Sequence, residues 1–176
     1  MLEDLTFKSL GLVNYHETMD LMRSHVKGEN FSNEIWLLEH PPIFTLGTAA
    51  DKKHILNVKD IPIVQSDRGG EVTYHGPGQL VIYFLLDIKK LEFSPNKLVS
   101  TIQNFVKDLL HELSIECNFI KGAPGVYVDK KKIASIGLRI SKGKSYHGIS
   151  LNFDMDLSPF KQINPCGYEG LEVVQI

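Results

Sequence analysis

The first candidate for chemistry in this chain is a cysteine, because an ionised thiol is a strong nucleophile. The chain has two cysteines, and Cys166 lies in the segment NPCGY at residues 164–168. Proline and glycine on either side of it indicate an irregular and accessible turn. Cys117 follows a helical pattern and has the surroundings of a strand residue. Cys166 is therefore the candidate nucleophile, with the ordinary alternative that a lone cysteine acts only as a small apolar residue.

A reactive thiolate needs a neighbouring cation or base, and a run of three lysines offers one. Lys130, Lys131 and Lys132 precede the strand-like sequence IASIGLRI at 133–140. A solvated turn is the ordinary outcome for such a run, but Lys132 is adjacent to the strand and can enter the sheet. Its ammonium could stabilise a thiolate at Cys166 or relay a proton.

Two histidines are alternative bases for Cys166. His75 and His147 each lie between a tyrosine and a glycine, and each could instead be a structural, hydrogen-bonded histidine. The other five histidines show no pairing with cysteine or carboxylate at the spacing of metal ligands, so we predict no metal site. These five are His16, His25, His40, His54 and His111.

A glycine-rich segment, RGGEVTYHGPGQL at residues 68–80, is predicted as a loop between two apolar strands. Glycine lets backbone N–H groups approach a ligand closely, and Arg68 and His75 offer donors for an anionic or carbonyl oxygen. The same glycines could equally serve only a tight hairpin. The segment is not a P-loop, because no Gly-Lys-Ser/Thr follows, and it is not a dinucleotide fingerprint, because no helix begins after its last glycine. The sequence therefore does not indicate nucleotide binding.

The elements that must position these residues follow from periodicity and capping signals. Residues 14–27 are predicted as a helix between Asn14 and Gly28, and residues 95–113 as a second helix that begins after Ser94. The second helix has an apolar face formed by Leu98, Ile102, Phe105, Val106, Leu109, Leu110 and Leu113. Strands are predicted at 34–38, 43–46, 61–65, 80–86, 126–128, 132–140 and 146–153.

Helices and hairpin-linked strands thus occur in separate blocks, without strict alternation. This arrangement predicts an α+β fold in which the helices pack on a mixed, largely antiparallel sheet. The length of 176 residues fits one domain, which we place at residues 1–176.

Composition excludes several other classes of protein. Hydrophobic residues make up 43% and charged residues 23% of the chain, as in a globular protein. The formal net charge of -2 gives no bulk attraction to nucleic acid or to an anionic membrane. The cysteines are too few for a disulfide framework, no signal-peptide pattern is seen, and no apolar run approaches the ~20 residues of a membrane span. These features predict a cytoplasmic protein that does not cross a membrane.

Four segments carry a resemblance to a known family. They are RGGEVTYHGPGQLVIY at 68–83, GAPGVYVDKKKIASIG at 122–137, YHGISLNFDMDLSP at 146–159 and INPCGYEG at 163–170. In order and spacing they resemble the lipoyl(octanoyl) transferases, and together they cover most of the chain from His40 onward. This chain stops soon after the cysteine block, where many relatives carry a further tail.

The resemblance implies the α+β catalytic domain of lipoate and biotin protein ligases. It also implies that Cys166 is the acyl-thioester nucleophile and that Lys132 lowers the pKa of its thiol and assists proton transfer. The implied substrate contacts are Arg68, Gly69, Gly70, Glu71, Val72, Thr73, Tyr74, His75, Ser135, Ile136, Gly137, Gly148, Ile149 and Ser150. Val72 and Tyr74 are candidates for lining an apolar slot for the acyl chain.

The implied reaction moves an octanoyl group from acyl carrier protein to a lysine of a lipoyl domain, in 2-oxoacid dehydrogenases and in glycine cleavage H protein. The carrier brings its own phosphopantetheine, so no cofactor and no metal are expected, and a monomer is the default. Three alternatives remain open: an ATP-dependent lipoate–protein ligase, a cysteine hydrolase of acyl thioesters, and a non-catalytic acyl-binding module. ATP dependence, release of free acid, and binding without turnover would distinguish them.

Overall fold

The architecture is described by a computed structural model over residues 5–176, which contain ten strands and two α-helices. In chain order the elements are β1 (Leu5–Leu12), α1 (Tyr15–Lys27), β2 (Asn33–Glu39), β3 (Ile43–Leu46), β4 (Ile63–Gln65), β5 (Val72–His75), β6 (Gln79–Leu85), α2 (Pro95–Glu112), β7 (Asn118–Ile120), β8 (Ala123–Val128), β9 (Lys131–Ser141) and β10 (Lys144–Asn152). Short 3-10 helices occur at Lys52–His54, Ser158–Gln162 and Pro165–Gly167.

Two sheets form the framework. The larger has the strand order β1-β2-β6-β10-β9-β8-β7, and the smaller has the order β4-β3-β5. In the larger sheet β1 and β2 run parallel, and the other neighbours run antiparallel. In the smaller sheet β3 is parallel to β4 and antiparallel to β5. The predicted α+β fold with a mixed, largely antiparallel sheet is therefore confirmed.

Helix α1 begins and ends where the sequence predicts. The side chain of Asn14 accepts hydrogen bonds from the backbone N–H groups of His16 and Glu17, and Gly28 follows the last helical residue. One face of the helix packs on aromatic residues of the large sheet. The buried cluster includes Met19, Met22, Trp36, Tyr83 and Tyr146.

Helix α2 also has the predicted start, where the Ser94 side chain accepts a hydrogen bond from the Lys97 N–H and Pro95 is the first helical residue. Its buried residues are Leu98, Ile102, Val106 and Leu110. Phe105 and Leu113 belong to the predicted apolar face but are 48% and 49% exposed, so the buried stripe is narrower than predicted. As far as residues 5–176 are concerned, neither α-helix combines the length and the apolar character that a membrane crossing requires.

Strands β1, β5 and β7 are absent from the sequence prediction. Most residues of β1 are exposed, and its pairing shifts register between Ser9 and Gly11, so it lacks a regular apolar alternation. Strand β5 lies inside the glycine-rich segment, which the sequence predicts as a loop. Strand β7 has three residues, all exposed, at the edge of the large sheet. A strand of three residues is too short to show a periodic apolar pattern.

Candidate active site

A cavity of about 620 Å³ is lined by residues of both sheets. The segment 68–71 and β5 form part of its wall, and β6, β9 and β10 contribute the facing residues. Apolar side chains on that side include Val81, Ile136, Leu138 and Ile149, and Cys166 and Lys132 also line the cavity. An apolar cavity of this size with a few convergent polar groups is typical of a small-molecule site.

Cys166 lies in the short 3-10 helix Pro165–Gly167 with a left-handed backbone, at φ 56. Its thiol is partly exposed at the cavity. The turn is anchored by Asn164, whose backbone N–H donates to the carbonyl oxygen of His54 across 2.8 Å. A left-handed non-glycine residue is uncommon and occurs often at functional sites. The predicted irregular, accessible turn is therefore present, and its position is fixed by the buried residue His54.

Lys132 enters the sheet near the start of β9 and is 2% exposed, whereas Lys130 and Lys131 are exposed. Its Nζ donates to the Sγ of Cys166 across 2.8 Å. Gly125 on the neighbouring strand leaves room for this side chain, because a Cβ at Gly125 would lie 2.5 Å from the Lys132 Cε. The solvated-turn alternative therefore applies to two of the three lysines, and the structure brings the third into contact with the candidate nucleophile.

The backbone of Lys132 is held on the side opposite to β8 by the segment that follows Cys166. The Lys132 N–H donates to the carbonyl oxygen of Glu172 across 2.9 Å, and the Val174 N–H donates to the carbonyl oxygen of Lys132 across 3.0 Å. This pairing is a parallel bridge between Lys132 and Val173. The lysine and the cysteine are therefore connected through a short stretch of hydrogen-bonded backbone as well as through their side chains.

Arg68 is buried and organises the glycine-rich segment. Its guanidinium donates to the carbonyl oxygen of Thr45 across 2.6 Å and to those of Gly69 and Glu71 across 2.8 Å each. Burial lowers the pKa of Arg68, and negative charge at Cys166 is among the influences that oppose this shift. Most of its donors are thus used within the protein, so Arg68 shapes the wall and adds positive charge to it.

Strand β5 presents alternate residues to the cavity. Thr73 and His75 line it, and the hydroxyl oxygen of Thr73 has no hydrogen-bond partner in the described residues. Val72 and Tyr74 point to the other face of the strand and pack in a core cluster with Phe44. The expectation that Val72 and Tyr74 line an acyl slot is therefore wrong, because a segment predicted as a loop is a strand with two faces.

The remaining predicted contact residues all line the cavity. They are Gly69, Gly70, Glu71, Ser135, Ile136, Gly137, Gly148, Ile149 and Ser150. Gly137 and Gly148 face each other in the β9–β10 pair. A Cβ at Gly148 would lie 2.0 Å from the carbonyl oxygen of Ile82, and one at Gly137 would lie 3.0 Å from that of Gly69. Both glycines therefore allow backbones to approach closely where the cavity wall is formed.

The two histidines proposed as alternative bases hydrogen-bond other residues. His75 Nδ1 lies 2.7 Å from Gln79 Oε1, and His147 Nε2 lies 2.8 Å from Asp67 Oδ1. Burial lowers the pKa of His75 to about 3, and burial also lowers the pKa of His147. Both rings line the cavity, but the contact with Cys166 Sγ comes from the lysine.

Asp67 connects α1 with β10 below the cavity. Its carboxylate accepts hydrogen bonds from Tyr146 Oη and Arg23 Nε and lies against His147. Burial alone would raise the pKa of Asp67, but hydrogen bonds from His147, Tyr146 and Arg23 hold it well below its usual range. The charged network ties helix α1 to strand β10, which carries His147 and Gly148.

Three tyrosines also line the cavity, and the sequence predicts no role for them. They are Tyr15, Tyr83 and Tyr168. Tyr15 stacks on His75 with ring centroids 6.0 Å apart, and Tyr83 Oη lies 2.8 Å from His40 Nε2. Tyr83 ends the first family-like segment, and Tyr168 is two residues from Cys166, so proximity to the motifs could have identified both. Tyr15 carries no such signal, because it is an ordinary buried position of an amphipathic helix.

Stability is expected to fall as the pH drops below neutrality. Burial lowers the pKa of His40 to about 4 and that of His75 to about 3, whereas unfolded histidines titrate near pH ~6.5. Below that value the unfolded chain binds protons that the folded chain does not, so the free energy of unfolding decreases. We expect the protonation of these two histidines in the unfolded chain to lower the free energy of unfolding by about 3 kcal/mol between roughly pH 7.5 and 5.5. Urea denaturation at a series of pH values measures the change.

Two single variants distinguish the effect of a buried histidine from that of an exposed one. His40→Gln should remove about half of this pH dependence, whereas replacement of the exposed His111 by glutamine should leave it unchanged. A free energy of unfolding that is constant over this range would show that the buried rings accept protons in the folded state.

The fold is shared with solved lipoate and biotin protein ligases. A bipartite lipoate protein ligase from Thermoplasma acidophilum matches with a TM-score of 0.69 and 14% identity, over 98% of this chain and 74% of its own. A biotin protein ligase from Aquifex aeolicus matches with a TM-score of 0.54 and 17% identity, over 99% of this chain and 58% of its own. The fold of this chain is thus the one seen in lipoate and biotin protein ligases.

Comparison of sequences identifies the family of this chain more narrowly than comparison of folds. The family model described as lipoyl protein ligase A/B catalytic domain matches residues 14–176, and the chain belongs to that family. Octanoyltransferases from Shewanella amazonensis and Pseudomonas putida are each 51% identical to it, over 97% and 98% of this chain and 80% and 81% of their own. The chain therefore stands among the octanoyltransferases and is an acyltransferase, and the family predicted from the four signature segments is confirmed.

Proposed function

We propose that the enzyme transfers an octanoyl group from acyl carrier protein to a lipoyl-domain lysine through a thioester on Cys166. The observation that carries the proposal is the 2.8 Å contact between Lys132 Nζ and Cys166 Sγ in the wall of an apolar-lined cavity. Relatives at 51% identity bear the name octanoyltransferase, which supports the choice of acyl group. A nucleophile activated by an adjacent charged group is the usual arrangement in covalent acyl transfer.

In the first half-reaction the thiolate of Cys166 attacks the carbonyl carbon of the octanoyl thioester on the phosphopantetheine arm. A carbon–sulfur bond to the enzyme forms, and the bond to the pantetheine sulfur breaks. The Lys132 ammonium, which lies against the thiolate, gives its proton to the departing sulfur. The products are an octanoyl–cysteine thioester, a neutral lysine and the free thiol of the carrier.

In the second half-reaction the amine of a lipoyl-domain lysine attacks the octanoyl–Cys166 thioester. The amide bond forms, the bond to the cysteine sulfur breaks, and neutral Lys132 takes the proton from the attacking nitrogen. The ammonium–thiolate pair is thereby restored. The acceptors we propose are the lipoyl domains of 2-oxoacid dehydrogenases and the glycine cleavage H protein.

The electrostatics of the cavity support this chemistry. Each half-reaction passes through a tetrahedral intermediate with a negative oxygen. The residues that line the cavity include two basic side chains, Arg68 and Lys132, and one carboxylate, Glu71. In the proposed cycle Arg68 is positive in both half-reactions, and Lys132 is positive when the first intermediate forms. Positive groups already in place near a developing oxyanion stabilise the transition state without reorganisation.

The apolar part of the cavity suits the acyl chain. Val81, Ile136, Leu138, Ile140 and Ile149 line it. Each buried methylene contributes about 0.8 kcal/mol, so a slot fitted to an octanoyl chain discriminates moderately against other lengths. A thioester is already activated, and its exchange for an amide is downhill, so the proposed transfer requires neither ATP nor a metal.

The proposal is tested by incubating the enzyme with octanoyl–acyl carrier protein and no acceptor. Intact-protein mass spectrometry should show one octanoyl adduct, which peptide mapping places on Cys166, and adding an apo lipoyl domain should remove it. Release of octanoic acid at the same rate with or without the lipoyl domain would indicate a hydrolase. Transfer that occurs only from free octanoate with ATP would indicate a ligase, and either result contradicts the proposal.

A further inference from the structure

A second, smaller cavity of about 370 Å³ adjoins the active-site cavity. Both are lined by Val99, Gly122 and Pro124, so the two form a continuous depression. The smaller cavity lies between helix α2 and the edge strand β7 and is completed by Gln103, Phe119, Ile120 and Lys121. The proposed binding of the octanoyl chain and the contact between Lys132 and Cys166 make no use of this smaller cavity.

Four residues of α2 follow the depression. Pro95, Val99, Gln103 and Lys107 are spaced by four, so they lie on one face of the helix. Pro95 and Val99 line the active-site cavity, Gln103 lines the smaller cavity, and Lys107 Nζ lies 6.0 Å from the ring of Phe119. With a rise of 1.5 Å per residue, this face extends about 18 Å from the active site. The depression is thus a groove, here called the α2–β7 groove.

The groove combines exposed apolar side chains with positive charge. Phe119 and Ile120 are 39% and 41% exposed although they are large and hydrophobic. Lys121 lines the smaller cavity, and Lys107 lies at its outer end beside Phe119. The residues that line the smaller cavity include no carboxylate. A matching ligand is elongated, partly apolar, and anionic at the end remote from Cys166.

We propose that the α2–β7 groove binds the phosphopantetheine arm of the acyl donor, with the phosphodiester at Lys121 and Lys107. This inference rests on the proposed function, which places the thioester end of the arm at Cys166. The alkyl part of the arm contacts Val99, Phe119 and Ile120, and the ammonium groups pair with the phosphate as point charges. The groove therefore selects a phosphorylated carrier arm over a simple acyl thioester.

The test compares S-octanoyl phosphopantetheine with S-octanoyl pantetheine, which differ only in the phosphate. The rate constant for acylation of Cys166 is measured for each donor by intact-protein mass spectrometry. We expect the variant K107E/K121E to react about tenfold more slowly with the phosphorylated donor and equally fast with the other. Raising the ionic strength should slow the wild-type reaction with the phosphorylated donor and should have little effect on the variant.

The control variant K59E/K97E changes the net charge equally at two exposed lysines that line neither cavity. It should retain the wild-type preference for the phosphorylated donor, and melting temperatures should confirm that both variants fold. Equal slowing of both donors by K107E/K121E, or the same effect from the control, overturns the groove assignment alone. Failure of both donors to acylate Cys166 in the wild type refutes the proposed function and the groove with it.

Discussion

Replacement of Cys166 by alanine is expected to abolish the acyl adduct and to reduce octanoyl transfer by at least about 10³-fold. The thiol is the group that Lys132 Nζ contacts at 2.8 Å, and without it the acyl group has no covalent site in the cavity. Alanine fits the partly exposed turn without filling new space, so the protein should remain folded. Mass spectrometry after incubation with octanoyl–acyl carrier protein measures the adduct, and transfer to a lipoyl domain measures the activity.

The second cysteine provides the matched control. Cys117 is also a free thiol, it packs at the edge of the α2 core, and burial raises the pKa of its thiol. Cys117→Ala should therefore retain both the adduct and the transfer. If Cys166→Ala still accumulates a covalent octanoyl group, the nucleophile assignment is wrong.

Replacement of Lys132 by methionine is expected to slow octanoyl transfer by about 10³-fold at neutral pH. Methionine can fill the buried space of the lysine stem, but it supplies no charge to the thiolate and no proton to the leaving sulfur. The variant should also slow the alkylation of Cys166 by iodoacetamide, because the sulfur loses the ammonium that contacts it. The alkylation rate measures the reactivity of the sulfur separately from catalysis.

Lys131→Met is the control for this variant, because Lys131 is the preceding residue and its ion pair with Glu172 is largely exposed. It should retain the wild-type alkylation rate and near wild-type transfer. An unchanged alkylation rate for Lys132→Met would mean that the lysine only fills space, and the proposed proton transfer would then need another group.

The helices of this fold could be predicted closely because their signals are local. Asn14 and Ser94 cap the two helices through their own side chains, so a few consecutive residues define each start. Strand β1 could not be predicted, since its place depends on β2 rather than on its own mostly exposed residues. Strand β5 could not be predicted either, because pairing with β3 gives it a structure that its glycine-rich surroundings obscure.

The members of the candidate site could be nominated from the sequence, but their pairing could not be derived from spacing. Chain position alone leaves Lys132, His75 and His147 as equal candidates for the partner of Cys166. The choice depends on long-range geometry: Asp67 and Gln79 hold the two rings, and Gly125 opens a space for the lysine. Only resemblance to a family favours the lysine before the fold is known.

The pairing of Lys132 with Glu172 and Val174 has a consequence for the newly made chain. Strand β9 leaves the ribosome well before residues 172–174, and domains form their non-local contacts only when the partner segments are available. Until that stretch has emerged, the backbone N–H and carbonyl of Lys132 lack their partners on this side of β9. The lysine that contacts Cys166 therefore gains these hydrogen bonds only after the segment beyond the nucleophile has been synthesised.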